Sequence, residues 1–329
     1  MQVFRTLEEA STALGSRGVV ATIGNFDGVH IGHRWMFSEL IARGRELGLP
    51  AVAITFEPHS ARLVRPTGHL KLMTPLPEKL ALLSATGLDA AVVLSFTPDF
   101  SQIGGRDFAL GILCNGLHVT EVHEGANFRF GHRAGHGVQE LADLGREFGF
   151  AVKVFPPLRV QGEIVSSSRI RRLIAAGRVA QARRLLRRPF SIVSTPAPGR
   201  GYGTRYTVPT INLAPYTELL PANGVYVTQL TIGEGPTAQT FDAVTNIGNR
   251  PTFGEDSFTV ETHILDFQPI ALHEHTPLRL AFLHRLRDEV RWPTAEALKA
   301  QILLDVSRAQ RYLRLYHRAD ATRPAVHQS

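Results

Sequence analysis

The sequence has one cysteine, Cys114, in 329 residues. A lone thiol excludes an intramolecular disulfide and a cysteine-built zinc site, and it fits a reducing, cytoplasmic setting. Long hydrophobic runs are also missing. The longest, such as Ala90–Phe96, fall far short of the ~20 residues that cross a bilayer, so no membrane partner is expected. Met1 to Gly15 carries Glu8 and Glu9 and lacks a long apolar core, which argues against a signal peptide. There is no Gly-Lys dipeptide, so a Walker-type phosphate loop is excluded. His273-Glu274-His275 is spaced too tightly for a zincin helix, whose two histidines stand four apart. Acidic residues are absent between Glu163 and Glu218, a stretch that carries ten arginines.

That last absence explains the charge. The chain has 36 basic and 29 acidic residues, a net of +7, but outside 164–217 the balance is 26 against 29, or −3. An acidic body carries one basic segment, whose partner is expected to be an anion. An apolar fraction of 43% is that of a folded protein, and the length suits about two domains.

The first half alternates short β-branched runs with amphipathic segments. Val19–Ile23, Ala51–Phe56, Ala90–Phe96, Val119–His123 and Ala151–Phe155 read as buried strands, and Leu158–Val165 as a further one. Gly32–Leu47, Glu78–Thr86, Arg106–Leu113 and Val138–Phe148 read as helices. Such alternation predicts a parallel sheet covered on both faces. The basic stretch Ser166–Leu186 reads as helical and divided at Gly177. After Arg188 the texture changes to a Pro/Gly/Ser-rich segment, then strand-like runs at Gly224–Ile232, Ala238–Thr245, Ser257–Asp266 and Pro277–Leu286, and a helix at Thr294–Leu315. Short strands at regular spacing before one helix predict a small antiparallel barrel. The expected division is 1–186 and 187–318, with a frayed tail over 319–329.

The first strand runs into Gly24-Asn-Phe-Asp-Gly28-Val-His30-Ile-Gly32-His33. Glycines at the carboxyl edge of a parallel sheet let backbone approach a ligand, and their spacing is not the dinucleotide-binding fingerprint. His30 and His33 stand three apart at the start of a helix, which places both on one face beside exposed N–H groups. Together these features predict a phosphate site. In Ser166-Ser-Ser-Arg169 the serines can cap a helix, while arginines in its first turn oppose the helix dipole. A docked polyphosphate would offset that cost.

This string resembles the H-x-G-H signature of the nucleotidyltransferases. The longer G-N-F-D-G-V-H-x-G-H is similar to the adenylyltransferase half of the prokaryotic bifunctional riboflavin kinase/FMN adenylyltransferases. Thr55-Phe-Glu-Pro-His59, Gly125-Ala-Asn-Phe-Arg-Phe-Gly131 and Val165-Ser-Ser-Ser-Arg-Ile-Arg171 match in order, with Ser168 where the family usually has Thr. The resemblance implies a Rossmann-like nucleotidyltransferase domain in which FMN attacks the α-phosphorus of ATP. It implies His30, His33 and Arg169 as catalytic, with Gly24, Phe26, Asp27, Gly28, His59, Asn127, Ser167 and Ser168 binding ATP or flavin. For Asn127 ordinary turn chemistry is the competing reading, and His59 could equally cap its loop.

The second half carries Val208-Pro-Thr-Ile-Asn212, Gly224-Val-Tyr226, Thr245-Asn-Ile-Gly-Asn-Arg-Pro-Thr-Phe253 and Val260-Glu-Thr-His-Ile-Leu-Asp266. This succession resembles the riboflavin kinase domain, a six-stranded antiparallel barrel with a C-terminal helix. The resemblance implies Mg²⁺ held with ATP by Thr210 and Asn212, Glu261 as the general base toward riboflavin, and Asn246 and Arg287 near substrate. Without it, Glu261 is a solvent-facing strand residue and Arg287 a surface ion pair. Thr207 and Gly203-Thr204 depart from the family pattern and bring kinase efficiency into question, so one alternative is an adenylyltransferase with a weak or lost kinase. An alternative of another class is a nucleic-acid module using 164–217. Phe190 is the only aromatic from Ser166 to Arg200, which disfavours base stacking there. Small-molecule substrates (ATP, riboflavin and FMN) are therefore the expected partners, without nucleic acid; oligomeric state is not legible.

Overall fold

A computed structural model describes residues 1–64, 70–197, 210–249, 258–265 and 272–321. The chain divides into two compact units, Met1–Arg169 and Ile170–Ser329.

The first unit is built on β1 (Gln2–Phe4), β2 (Val19–Ile23), β3 (Ala51–Glu57), β4 (Ala90–Ser95), β5 (Val119–Gly125) and β8 (Ala151–Phe155). They form one parallel sheet in the order β1-β4-β3-β2-β5-β8. Every residue of β2 is buried, as expected of a strand covered on both faces. Alternate side chains enter two cores. Ala21, Ile23, Val52 and Ile54 pack with Ala10 of α1 (Leu7–Leu14), Leu113, and Leu141 of α6 (Val138–Phe148). Val20, Ala53 and Ala91 pack with Phe37 and Leu40 of α2 (Ile31–Leu47) and Leu83 of α4 (Leu76–Ser84). A short α3 (Ser60–Val64) follows β3.

Three expectations change in detail. Arg106–Leu113 is a single α turn, α5 (Gly105–Phe108), continued as a π-helix over Ala109–Gly116. Leu158–Val165 is a hairpin of β9 (Arg159–Val160) and β10 (Glu163–Ile164), not one strand. Gln161 and Gly162 both take positive φ, 54° and 79°, and turn the chain back. The helix expected to end at Leu315 continues to Ala321, so residues 318–321 are helical rather than frayed. A second hairpin, β6 (Arg129–Phe130) with β7 (His136–Gly137), follows β5.

In the basic stretch, α7 (Ser167–Ala175) and α8 (Val179–Leu186) are separate helices. The break falls at Gly177, whose φ is 72° and where a Cβ would stand 2.9 Å from both the Tyr226 hydroxyl and Arg285. Only glycine fits there without strain.

The second unit holds β11 (Phe190–Ser194), β12 (Thr210–Asn212), β13 (Gly224–Ile232), β14 (Gln239–Asn249), β15 (Phe258–Ile264) and β16 (Leu278–Arg287). They form an antiparallel sheet in the order β11-β16-β13-β14-β15-β12. Its edges meet: Pro196 bridges Leu213, flanked by Ala197 N–H to Asn212 O at 2.9 Å and Ala214 N–H to Thr195 O at 2.8 Å. The sheet thereby curls on itself, leaving fewer unpaired edge groups. One face buries Val225, Val227, Val244 and Leu283 against Ala309 and Leu313 of the C-terminal helix, Ala295–Ala321. The opposite face buries Tyr226, where Phe282 meets it edge-on at 5.5 Å.

Candidate active sites

In the parallel sheet the chain runs from β2 outward to β3 on one side and returns to β5 on the other. The crevice between β2 and β5 is therefore the switch point, where open α/β sheets take ligands. The loop Gly24–Val29 leaves β2 there. Phe26, Gly28 and Val29 all have positive φ, at 49°, 86° and 37°. For Gly28 this is routine. For a β-branched valine it is strain of roughly 1–3 kcal/mol, of the kind held at functional sites by surrounding contacts.

Those contacts are explicit. The buried Asp27 carboxylate accepts the N–H of Met73 at 3.0 Å, the N–H of Thr74 at 2.9 Å and the Thr74 hydroxyl at 3.1 Å. Thr74 Oγ1 in turn accepts the Gly28 N–H at 2.8 Å. Asn25 and Ser60 bond reciprocally, Asn25 Nδ2 to Ser60 Oγ at 2.8 Å and Ser60 N–H to Asn25 Oδ1 at 3.1 Å. Lys79 inserts a buried ammonium beneath the loop and donates to Asn25 O, Thr55 Oγ1 and Phe56 O at 3.3, 3.0 and 3.3 Å. Burial holds its pKa below the ordinary lysine value. Asp27 thus binds its own protein and shapes the loop.

His30 is the N-cap of α2, and its Nδ1 accepts the His33 N–H at 3.2 Å. In the neutral ring the proton then resides on Nε2. The His30 and His33 rings stack at 3.6 Å, and Phe26 meets His33 edge-on at 5.3 Å. Burial, with His30 adding to it, holds the His33 pKa well below the usual imidazole value. His33 Nδ1 is buried without a hydrogen-bond partner, an orphan of the kind a ligand satisfies. No acidic residue occupies the first turn of α2, so nothing on the helix competes with an anion there.

The outlying candidates sort differently. Ser167 Oγ donates to Asp27 O at 2.8 Å and joins the serine segment to the loop. Ser166 Oγ accepts the Arg169 N–H at 3.3 Å as the expected cap. The Arg169 guanidinium meets Glu163 at 2.5 Å and Ile164 O at 3.3 Å. Glu163 is 68% exposed, so this pair contributes ~1 kcal/mol or less. Ser168 and Asn127 are exposed, Asn127 in the turn between β5 and β6. His59 accepts the Ala61 N–H on Nδ1 at 3.1 Å, which is the capping role. A Cβ at Gly24 would stand 2.8 Å from the Phe26 ring, so that glycine also serves packing.

A chain of rings runs through one core of the first unit and along its edge. Phe56 lies 5.6 Å from Phe96 and 5.8 Å from Phe100, Phe100 contacts Phe108, Phe108 contacts Phe130, and Phe128 stacks on Phe130 at 5.6 Å. These phenylalanines come from five separate stretches of sequence, which is why no local pattern revealed them.

In the second unit, register decides the site. Asn212 on β12 pairs with Glu261 on β15, and Glu261 pairs with Asn246 on β14. Directly paired residues share a face, so Asn212, Glu261 and Asn246 form one row across three adjacent strands. Thr210, two residues before Asn212, shares its face, opposite His263. Thr210 is exposed, while Asn212, Glu261 and Asn246 are half-buried. The neighbouring Thr262 instead enters the other face, where Thr228, Thr245 and Thr262 hydroxyls link at 2.8 and 3.0 Å.

Arg287 is engaged elsewhere. Its Nε and one terminal nitrogen meet the same Asp305 oxygen at 2.9 and 2.8 Å, and another donates to Asp288 O at 2.9 Å. Its guanidinium lies 5.7 Å from the Trp292 ring. The departures at Gly203, Thr204 and Thr207 lie outside the described residues, as does the rest of 198–209. Sequence reasoning missed Lys79, Thr74 and Glu124, whose carboxyl accepts the Ile23 N–H at 2.5 Å. An isolated Lys, Thr or Glu carries no signal until the fold brings it to a loop.

Residues 13–169 match the FAD synthetase family and 186–313 the riboflavin kinase family. A bifunctional riboflavin kinase/FMN adenylyltransferase of Pseudomonas fluorescens is 34% identical over 296 residues, 89% of this chain and 93% of its own length. That of Escherichia coli K12 is 31% identical over 316 residues, 96% of this chain and 99% of its own. In fold, a crystal structure described as a macrolide-efflux protein from Streptococcus pneumoniae is similar with a TM-score of 0.83. It has 23% identity and covers 94% of this chain and 99% of its own.

Proposed function

The chain belongs to the bifunctional riboflavin kinase/FMN adenylyltransferase family, and from that premise we propose how its residues divide the work. The protein phosphorylates riboflavin to FMN with ATP and adenylylates FMN with ATP to FAD and pyrophosphate. We place the division of labour at 186/187, the end of α8, supported by the kinase-family match that begins at 186. Cys114 as the sole cysteine supports a cytoplasmic setting.

For adenylyl transfer, ATP lies over the Gly24–Val29 loop with its phosphates at the start of α2. The FMN phosphate oxygen attacks the α-phosphorus, and the bond to the β-phosphate oxygen breaks to release pyrophosphate. That nucleophile is already anionic near pH 7, so no general base is needed. His30 and His33 donate hydrogen bonds to phosphate oxygens as charge builds in the transition state. Arg169 leaves Glu163 for the departing polyphosphate. Of the phenylalanine chain, the half-buried Phe96, Phe100 and Phe128 are the rings that a flavin could meet, while Phe56, Phe108 and Phe130 lie buried in the core behind them. The carrying observation is the His30–His33 stack, with its orphaned nitrogen, at the switch point of the sheet.

For the kinase step, Glu261 accepts the proton of the riboflavin 5′-hydroxyl as its oxygen bonds the γ-phosphorus and ADP leaves. Asn212 and Asn246 flank Glu261 in the row, which places their amides beside its carboxylate to orient the substrate. Thr210 and Asn212 present a hydroxyl and an amide oxygen on one face, donors suited to a hard divalent cation. Among the described residues no group of three His, Cys, Asp or Glu could hold a metal. Mg²⁺ held by Thr210 and Asn212 would supply positive charge to offset that of the nucleotide phosphates.

Chromatography of riboflavin/ATP/Mg²⁺ reactions tests the scheme. His33→Ala is expected to stop FAD formation and spare FMN formation, and Glu261→Ala to stop FMN formation while FAD still forms from added FMN. FAD formation surviving in His33→Ala would remove the first unit's proposed centre, and kinase activity surviving in Glu261→Ala would remove the second's.

A further inference from the structure

The crevice at the switch point is open for a reason visible in the hydrogen bonds. On the β3 side the ladder of β2 runs to its end: Ile23 pairs with Ile54, and the Gly24 N–H reaches Ile54 O at 2.9 Å. On the β5 side, pairing stops at Ala21 with Val122. Beyond that point the two central strands part, which should leave the Ile23 N–H unsatisfied inside the protein. It is not orphaned, because the Glu124 side chain fills the gap. Glu124 Oε1 accepts the Ile23 N–H at 2.5 Å and the Thr22 hydroxyl at 3.3 Å. The residue is only 3% exposed.

We propose that Glu124 is a positioning residue for adenylyl transfer: its carboxyl group replaces the missing ladder between β2 and β5 and so fixes the take-off of the Gly24–Val29 loop. This rests on the reading of that crevice as the adenylyl-transfer centre. A side chain bridging the strands holds them apart while keeping the last residue of β2 anchored on both sides. A backbone ladder continued to Ile23 would close the space that the ligand needs, and no anchor at all would leave the strained loop without a fixed root. Burial pushes the carboxyl's pKa well above the ordinary range, against the pull of donors from Ile23, Thr22 and Gly125. The role shown is that of a hydrogen-bond acceptor for Ile23 and Thr22, so an amide of the same length should replace the carboxyl.

The test uses the full-length enzyme with kcat and KM measured for FAD formation from FMN. FMN formation from riboflavin in the same protein reports the other unit. Glu124→Leu is expected to lower kcat for FAD at least about ten-fold, since misplacing reacting groups costs rate, while KM for ATP changes much less. Glu124→Gln is expected to restore kcat to within about two-fold, because it keeps the acceptor. Wild-type kcat in Glu124→Leu would overturn the proposal, as would equal losses in the Leu and Gln variants, which would assign the effect to the acid itself. If Glu124→Leu melts early and loses only FAD formation, Glu124→Asp decides. A folded Asp variant with reduced kcat supports the positioning role, and one with wild-type kcat refutes it. His33→Ala run in parallel separates the two failures: if it abolishes FAD formation while Glu124→Leu does not, the centre stands and only Glu124 falls.

Discussion

Arg287→Ala should destabilise the second unit before it weakens any grip on flavin. Two nitrogens of Arg287 converge on one Asp305 oxygen at 2.9 and 2.8 Å, a third serves Asp288 O, and Asp305 itself is 2% exposed. Its other oxygen has the Gln301 amide at 2.8 Å. Truncating the arginine leaves a buried carboxylate with one neutral donor. Breaking a buried pair in this way costs ~3–5 kcal/mol. The arginine side chain is 19% exposed, so water can reach the vacated side, and the lower end, about 3 kcal/mol, is the expected loss. For a unit of this size that lowers the melting temperature by roughly 10 °C. Adding Asp305→Asn should recover part of the loss, because it removes the charge left behind. Thermal melting of the single and double variants, set beside KM for riboflavin at a temperature where both stay folded, is the assay. An Arg287→Ala protein that melts like wild type but binds riboflavin poorly would refute this reasoning and place the guanidinium in direct contact with substrate.

Two further outcomes concern the first unit. Asp27→Ala removes the acceptor for two backbone N–H groups and the Thr74 hydroxyl. It should cost roughly 2–4 kcal/mol in urea melts, with FAD formation falling at least ten-fold while FMN formation persists; unchanged FAD formation would show that the loop holds its shape otherwise. Glu124 has a raised pKa in the folded state, so that state keeps its proton longer than the unfolded chain does. Its contribution is therefore undiminished below about pH 4.5 and declines as pH rises toward the folded pKa, at about 1.4 kcal/mol per pH unit. Glu124→Gln lacks this linkage, so its stability relative to wild type should rise as pH increases above about 4.5, and a difference that stays constant would show that burial does not raise the carboxyl's pKa.

The first half of the fold was open to reading because its central strands β2, β3 and β4 are buried on both faces, whereas Ala151–Phe155, also read as buried, is a largely exposed edge strand. Val19–Ile23 and Ala90–Ser95 are nearly continuous apolar runs, and the intervening helices carry regular stripes. The pieces that escaped are short or polar. The Leu158–Val165 segment hides a two-residue turn at Gln161-Gly162. β12 is three residues long and gains its meaning only from the strand it joins. The H-x-G-H string was legible because its parts are contiguous, so the helix start brings His30 and His33 together by itself. Arg287 was legible as a residue but not as a role, since Asp305, its partner, lies 18 positions away on another element.

By itself the sequence determined the two-part organisation, a phosphate site at the first strand's end and the source of the net positive charge, while both chemistries came from its resemblance to a known family. These depend on contiguous motifs, on periodicity and on counting, none of which needs a third dimension. Tertiary structure decided what each polar residue is for. It turned Asp27 inward to hold the loop, set Glu261 between Asn212 and Asn246, and brought Lys79 and Glu124 to the loop's two flanks. The physical reason is that a carboxylate or ammonium is defined by the partners it finds when water is removed, and those partners come from strands far apart in the chain.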